Sequence, residues 1–562
     1  MTFIYYFRNF LYKFTLFSII SLLTIIVGKP IYGTTDDNTL SGFISGSFTG
    51  EQEKRLIFIR PLMGEIFYYI QKIIPTVDIY SWFLLILVIF SSSIISVLLT
   101  AKNVNVKINF LFMILIFPFI FWFTLLPNYT SASMVLSLFG FLSVILIFSL
   151  GIESKFLLIS SMMITFTGYL IRPEGFFGVV VLLLPLVIYI FLINKKYKQI
   201  KKYHLLFFIL TSVVVVIIDL LIFNSTFSEW QVYDSWNSLR HQIQHRNSQD
   251  YLIQMVENGN WSVPEYHLFM DLAFGDPKIF NFNWLNLAFQ KTEFARSLSF
   301  IFDYLSFREL YLDLFSLISK YFGLIILEII VILLFIKVIK INLKHKIIIL
   351  LVSFGTAIAS IIYLLIFLHA PDRTIFIIVL LPIFILLSII KILDLSINQF
   401  NKTLSSGFIL LGLFLYLIQP VSFLNQNKIN SILKEQDLKN LSELMKFNKD
   451  AIYIGPGHSE LFDTRNPYLE KSIPTIPKLL IAGNWETFSP HWYKRAIYLG
   501  IKQVSVFEAL LQPNTYYIGF YQPDTAYLIE LYLMENGYKN IYREQILEIK
   551  NGINVFRYGI NE

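Results

Sequence analysis

Residues 82–101 read WFLLILVIFSSSIISVLLTA, a run without a single charged side chain. A helix of about 20 apolar residues spans the roughly 30 Å hydrocarbon core of a bilayer. Similar runs recur through the first 420 residues and lack the short alternating pattern of transmembrane strands. They predict an all-α polytopic membrane bundle with about eleven transmembrane helices. The predicted spans are 12–28, 80–100, 107–126, 133–150, 155–171, 175–193, 203–223, 320–337, 346–368, 374–391 and 404–420.

The overall composition agrees with a membrane class. Of the 562 residues, 56% are hydrophobic and 15% are charged, and the mean hydropathy is +0.63. The net charge of +7 does not indicate nucleic-acid binding, because the basic residues concentrate in short loops between apolar runs. The absence of cysteine excludes disulfides, thiolate metal sites and a thiol nucleophile.

The distribution of basic residues predicts the orientation. Lysines cluster in the connections 102–107, 195–202 and 337–346, and such loops stay on the cytoplasmic side. No small-residue cleavage site follows the first apolar run, so we interpret that run as an uncleaved span with a cytoplasmic N-terminus. The chain is then a multi-pass protein of the plasma membrane. Its larger extracytoplasmic segments are the loops 29–79 and 224–319 and the tail 421–562.

The tail differs in pattern from the predicted transmembrane domain 1–420. Its apolar runs shorten to strand length at 451–454 and 516–520, and an amphipathic helical stretch covers 525–535. This alternation predicts a soluble α/β or α+β domain on the extracytoplasmic side.

Two adjacent carboxylates, Asp36 and Asp37, follow the first span in the stretch YGTTDDNT at 32–39. Neighbouring carboxylates raise one pKa, which suits a general base that deprotonates an acceptor hydroxyl. The alternative is structural, with Asp37 or Thr35 capping a helix that starts at Asn38. Both interpretations are compatible with the pattern.

Three arginines lie at predicted outer ends of spans. Arg172 occurs in RPEG, Arg373 in HAPDRT and Arg60 in FIRP. A guanidinium in this setting can hold a phosphate through two parallel hydrogen bonds, although Arg172 could instead pair with Glu174 at the interface. Together with the carboxylates, the three arginines predict a site for a phosphorylated amphiphile. Further substrate-binding candidates near these arginines are Glu174, His369 and Asp372.

A fourth motif lies in the second outer loop, in WNSLRHQIQHR at 236–246. On a helix, Arg240, His241 and His245 share a face. A zinc site would need a third ligand or an H-E-x-x-H pattern, and neither is present. The pattern therefore favours a solvated or anion-facing helix, whose three residues are substrate-binding candidates.

With the acidic pair just after the first span, the span count, the large outer loop and the outward tail, the chain resembles the GT-C class of membrane glycosyltransferases. That class includes protein O-mannosyltransferases and aminoarabinose transferases. The resemblance implies a polyprenyl-phosphate-linked sugar donor, an extracytoplasmic glycan or protein acceptor, and an inverting displacement. It also implies that Asp36 or Asp37 activates the acceptor, while Arg60, Arg172 and Arg373 hold the donor phosphate. In some members a divalent cation assists.

Two alternatives remain open from the sequence. A Wzy-type polysaccharide polymerase would use the same kind of lipid-linked substrate but would depend chiefly on outer-loop arginines. A lipid-linked glycan flippase or transporter would be expected to carry charges inside its spans and two related halves. Asp219 is the clearest such charge, and no symmetry between halves is visible.

Overall fold

The computed structural model describes residues 2–100, 116–117, 119–193, 202–225, 227–245, 261–283, 285–286, 325, 329, 343–355, 357–358, 361, 372–392, 450–456, 466–469, 478–483, 485–501, 505–520, 523–549 and 553–561. Helices dominate the part before the tail. They are α1 (Thr2–Gly28), α2 (Thr35–Ser45), α3 (Pro61–Ile73), α4 (Ile79–Thr100), α5 (Tyr129–Leu150), α6 (Lys155–Ile171), α7 (Pro173–Ile193), α8 (Lys202–Ser225), α9 (Phe227–His245), α10 (Val263–Met270), α11 (Leu343–Leu350) and α12 (Asp372–Ile392). A π-helical turn, Leu351–Gly355, follows α11.

Four helices of the described residues are long and apolar enough to cross a membrane, namely α1, α4, α5 and α7. A fifth is added if α8 and α9, which meet at a bend of 105°, count as one broken span. The molecule is therefore a mostly helical, multi-pass membrane protein. The prediction of eleven spans reaches beyond the described residues, which do not include 404–420, and it stays a prediction.

The contact between α5 and α6 is built from small residues. A Cβ atom added to Gly140 would lie 2.8 Å from the backbone nitrogen of Thr165, and one added to Gly168 would lie 2.3 Å from the Ser137 hydroxyl oxygen. Small side chains let helix backbones approach closely in a membrane. At the end of this contact the Ser133 hydroxyl lies 2.8 Å from the carbonyls of both Gly168 and Arg172. The last turn of α6 is thereby fixed against the first turn of α5.

The segment after α1 pairs with the segment before α5. The backbone N–H of Ile31 donates to the Leu125 carbonyl, and that of Gly33 donates to the Pro127 carbonyl, both at 3.0 Å. A side chain at Gly33 would press on the Leu126 carbonyl oxygen at 3.0 Å. This close pairing sets the start of α2 beside the start of α5.

The start of α2 differs from the predicted helix boundary. The helix begins at Thr35 rather than Asn38, Thr34 is its N-cap, and no side chain caps it. Asp36 and Asp37 therefore lie inside the first turn, where a negative charge interacts favourably with the helix dipole. The capping role considered for Asp37 or Thr35 is wrong, because the helix begins at Thr35 and its N-cap is Thr34.

The tail contains a five-stranded mixed sheet. Its elements are β1 (Ile452–Gly455), β2 (Leu479–Ile481), α13 (Pro490–Tyr498), α14 (Val506–Ala509), β3 (Thr515–Phe520), α15 (Pro523–Glu535), β4 (Ile541–Ile549) and β5 (Ile553–Ile560). The strand order is β2-β1-β3-β5-β4. β1 pairs in parallel with β2 and β3, whereas β5 is antiparallel to β3 and β4. The tail is thus an α/β unit, in which β1, β3 and α15 fall where the apolar runs and the amphipathic stretch predicted them, whereas β2, β4 and β5 were not predicted.

The tail contacts the helical part at several points far apart in sequence. The Trp82 indole N–H donates to the Tyr468 carbonyl at 2.9 Å, and the Tyr233 hydroxyl donates to the Trp485 carbonyl at 2.5 Å. Arg495 donates to the Phe48 carbonyl at 2.7 Å. One region brings together the first loop, the starts of α5 and α7, helix α9 and tail residues 485–495. We call this region the junction.

Candidate active site at the junction

Asp37 lies at the junction with its side chain 0% exposed. Its Oδ1 atom accepts from the Tyr80 hydroxyl at 2.6 Å and from the Tyr129 backbone N–H at 2.9 Å, and its Oδ2 atom accepts from the Thr34 hydroxyl at 2.6 Å. Burial raises the pKa of Asp37 to about 7, against the three hydrogen bonds, which lower it. The carboxylate therefore ties α2 to α4 and α5.

Asp36 is half-buried and faces a different set of groups. Its charge acts on Arg172, Arg240 and Glu486, which come from the α6–α7 connection, from α9 and from the tail. A carboxylate that is open to solvent on one side can accept a proton from a bound hydroxyl. Of the two predicted catalytic carboxylates, Asp36 is the accessible one.

Arg172 follows the last residue of α6 and points among aromatic rings. Its guanidinium lies 5.0 Å from the ring centre of Tyr129 and 5.7 Å from that of Phe58, and it donates to the Thr130 hydroxyl at 2.7 Å. The predicted pair with Glu174 exists at 3.6 Å, but the Glu174 side chain is 76% exposed. Such a pair is weak in water, so most of the charge of Arg172 is available to an anion.

Phe58 has a backbone conformation that is uncommon for a large residue. Its φ is +69°, in the left-handed region that L side chains rarely adopt. The ring stacks on Tyr129 at 6.1 Å and contacts the Trp485 ring at 5.0 Å. Strained residues of this kind persist where surrounding contacts hold them, and they cluster at functional sites. Here the strain places an aromatic wall beside Arg172.

Arg60, the N-cap of α3, has a close partner. Its Nε atom donates to the Asp219 carboxylate at 2.5 Å, and its Nη2 atom pairs with the same oxygen. The Asp219 side chain is 0% exposed, so this pair is largely withdrawn from water. The intramembrane charge noted in the sequence is thus half of an ion pair with the first loop. Phosphate binding by Arg60 stays a prediction.

Among the candidates of the second loop, Arg240 lies at the junction. It is buried and donates to the Asn237 side chain at 2.8 Å, and burial lowers its pKa to about 10 while Tyr233 and Asp36 oppose that shift. His241 and His245 belong to the last turns of α9, but their side chains lie outside the described residues. The same holds for His369 and for the side chains of Asp372 and Arg373 at the start of α12.

Two tail residues that the sequence did not suggest face the acidic pair. Glu486 is buried, and burial, together with the charge of Asp36, raises its pKa to about 7 although Arg495 lowers it. Tyr468 is buried beside Trp82, and the charge of Asp37 acts on its hydroxyl. Neither belongs to a motif. The one available signal was the aromatic–acidic dipeptide at 485–486 in an otherwise unremarkable loop.

The junction therefore combines a half-buried carboxylate, two arginines and an aromatic wall at one end of membrane-crossing helices. Within the described residues, no group of three or more His, Cys, Asp or Glu side chains could hold a metal ion. These groups can bind an anion and accept a proton. The protein is a multi-pass membrane protein that carries a cluster of carboxylates, arginines and aromatic rings at the junction.

The comparisons with known proteins add a distant structural likeness. No protein-family model and no curated protein matches the sequence. Among solved structures, the chain is similar to the crystal structure of ArnT from Cupriavidus metallidurans bound to undecaprenyl phosphate. The likeness covers 97% of each chain, with a TM-score of 0.39 and 12% sequence identity. At that level the likeness carries no argument about activity, which must rest on the junction itself.

Proposed function

We propose that the protein is a membrane glycosyltransferase of the GT-C kind, which moves a sugar from a polyprenyl-phosphate-linked donor to an extracytoplasmic glycan or protein. One observation carries the proposal. Asp36, in the first turn of α2, lies close enough to Arg172 and to Arg240 for its charge to act on both. A base and an anion site at headgroup depth are what such a transfer requires.

The chemistry assigned to these groups is a single displacement. The acceptor hydroxyl oxygen forms a bond to the anomeric carbon, and the bond from that carbon to the phosphate oxygen breaks. The electron pair of the broken bond stays on the phosphate, and the acceptor proton passes to Asp36. Arg172 stabilises the negative charge that grows on the departing phosphate, and attack from the opposite side inverts the anomeric centre.

The two carboxylates take different roles in this proposal. Asp37 is fully buried and accepts three hydrogen bonds, so its oxygens are already engaged. Asp36 is accessible and electrostatically coupled to both arginines. We therefore assign Asp36 as the base and Asp37 as the positioning residue that holds the first turn of α2.

Binding of the lipid carrier provides the first test. Affinity for undecaprenyl phosphate is measured in lipid nanodiscs against undecaprenol, which lacks the phosphate. The wild type should prefer the phosphorylated lipid by at least about tenfold, because a charge-assisted hydrogen bond contributes about 1.5–3 kcal/mol. Arg172→Gln should remove most of this preference. The matched control is Arg543→Gln, since that arginine pairs with Glu530 at 3.2 Å within the tail.

Transfer from a panel of labelled undecaprenyl-phosphate sugars provides the second test. Equal affinity for the two lipids together with no transfer from any donor would refute the glycosyltransferase proposal. If Arg172 variants lose activity while Asp36→Asn and Asp37→Asn keep it, a Wzy-type polymerase becomes the better description.

A further inference from the structure

The peptide at Trp485–Glu486 is held firmly at the junction. The Trp485 carbonyl accepts from the Tyr233 hydroxyl at 2.5 Å, and the Trp485 ring contacts Phe58 at 5.0 Å. The next residue, Glu486, is 7% exposed and lies close enough to Asp36 for the two charges to act on each other. The tail thus brings a second carboxylate to the site formed by the first loop.

Glu486 has an unused hydrogen-bonding atom. Within the described part of the chain, its Oε2 atom is buried and has no hydrogen-bond partner. Leaving a buried polar atom unpaired costs about 1–3 kcal/mol, and more when the group is charged. Buried polar atoms of this kind are rare in native structures, and binding of a ligand is one way to satisfy them. Because Glu486 lies within electrostatic range of Asp36, a group on the substrate is a suitable partner for this atom.

We propose that Glu486 binds a second hydroxyl of the acceptor, beside the hydroxyl that Asp36 deprotonates, and that the acceptor is therefore a sugar. The inference rests on the function proposed above. One carboxylate suffices to activate a single hydroxyl. A second carboxylate at the same site can accept a hydrogen bond from a second, neighbouring hydroxyl of the same molecule. A carbohydrate has hydroxyl groups on adjacent carbons.

The aromatic wall supports the same class of acceptor. Trp485 directly precedes Glu486 in the chain, and its ring is in contact with that of Phe58 at 5.0 Å. Ligand sites commonly pair flat apolar surface with a few polar groups that set orientation. A sugar ring presents both an apolar face and a row of hydroxyls. A serine or threonine side chain would place its single hydroxyl at Asp36 and leave Glu486 without a hydroxyl partner.

Small alcohols test this inference without knowledge of the natural acceptor. Ethylene glycol has two neighbouring hydroxyls and ethanol has one, and both compete with water for the sugar of a labelled undecaprenyl-phosphate donor. We expect the wild type to form the glycol product at least about tenfold faster than the ethanol product at pH 8, given the strength of hydrogen bonds to charged groups. In Glu486→Gln this ratio should fall towards the statistical value of about two, set by the number of hydroxyls, while hydrolysis of the donor continues.

The pH dependence gives an independent readout. Asp36, Arg495 and Tyr233 are the charged and titratable groups that act on Glu486, and its pKa is raised to about 7. The ionised form accepts the hydroxyl bond, so the glycol preference should be present above about pH 7 and decline as the pH falls through that value. The Glu486→Gln variant should show no such decline.

Glu53→Gln is the matched control, because it also removes a buried carboxylate where the tail meets the first loop. Glu53 pairs with Lys494 at 2.9 Å and with His491 at 3.4 Å. It should lower thermal stability but keep the glycol preference. An equal preference in wild type and Glu486→Gln, with transfer intact, would refute the role of Glu486 alone. A complete absence of transfer, including to water, would refute the glycosyltransferase proposal with it.

Discussion

Arg60-Pro61 and Arg172-Pro173 look alike in the sequence but differ in the folded protein. Each arginine immediately precedes a helix that starts with proline. Arg60 pairs at 2.5 Å with Asp219, which is 0% exposed. Arg172 has a 3.6 Å ion pair with an exposed glutamate, donates to the Thr130 hydroxyl and lies against aromatic faces. One guanidinium is paired with a buried carboxylate, whereas the ion-pair partner of the other is exposed to solvent.

The acidic pair divides in the same way. Asp37 accepts hydrogen bonds from Thr34, Tyr80 and Tyr129, whereas the charge of Asp36 acts on Arg172. In both cases one copy of a residue type is buried with its partners, and its counterpart is assigned to the proposed site. The difference depends on partners that are distant in the sequence.

The largest expected effect distinguishes the two aspartates. Asp36→Asn should lower transfer roughly 10²–10⁴-fold, the usual range for loss of a general base, with little change in thermal stability. Asp37→Asn should instead lower thermal stability, because the amide has one acceptor oxygen where the two carboxylate oxygens accept three hydrogen bonds. Transfer rates and thermal unfolding are measured on the same samples. A stable but inactive Asp37→Asn beside an active Asp36→Asn would reverse the assignment.

The second-largest expected effect is on stability, when the acidic partner of each arginine is replaced. Asp219→Asn leaves Arg60 without its counter-charge in a buried setting, so the free energy of unfolding should fall by about 3–5 kcal/mol. Glu174→Gln removes the partner of Arg172 and should change it by less than about 1 kcal/mol, because that side chain is 76% exposed. Unfolding in mild detergent measures both. Similar losses in the two variants would contradict the comparison.

The smallest expected effect concerns charge-conserving changes. Arg172→Lys keeps the charge but loses the planar fork that matches a phosphate, so affinity for undecaprenyl phosphate should fall about tenfold. Arg60→Lys should leave this affinity unchanged. Binding in nanodiscs gives both values. A tenfold loss in Arg60→Lys would restore Arg60 as a phosphate ligand.

The sequence predicts those features that depend on local pattern. Apolar runs gave the membrane helices, and strand-length runs gave the tail sheet, because hydrophobic periodicity largely determines both. Their positions at the ends of predicted spans also made Asp36 and Arg172 candidate site residues. The pattern could not separate Arg60 from Arg172, since Asp219 lies 159 residues from Arg60. Nor could it identify Glu486, whose role depends on a contact between Trp485 and Tyr233 across 252 residues.

The contact between Trp82 and Tyr468 also concerns the biosynthesis of the protein. The two residues are 386 positions apart, which a ribosome covers in roughly 20–80 s at about 5–20 residues per second. During that interval α2 and α4 are made, but tail residues 485–495, which complete the junction, have not yet been synthesised. A nascent or stalled chain therefore exposes its carboxylates without Trp485 and Glu486. The order of synthesis keeps the junction incomplete until residues 485–495 have been made.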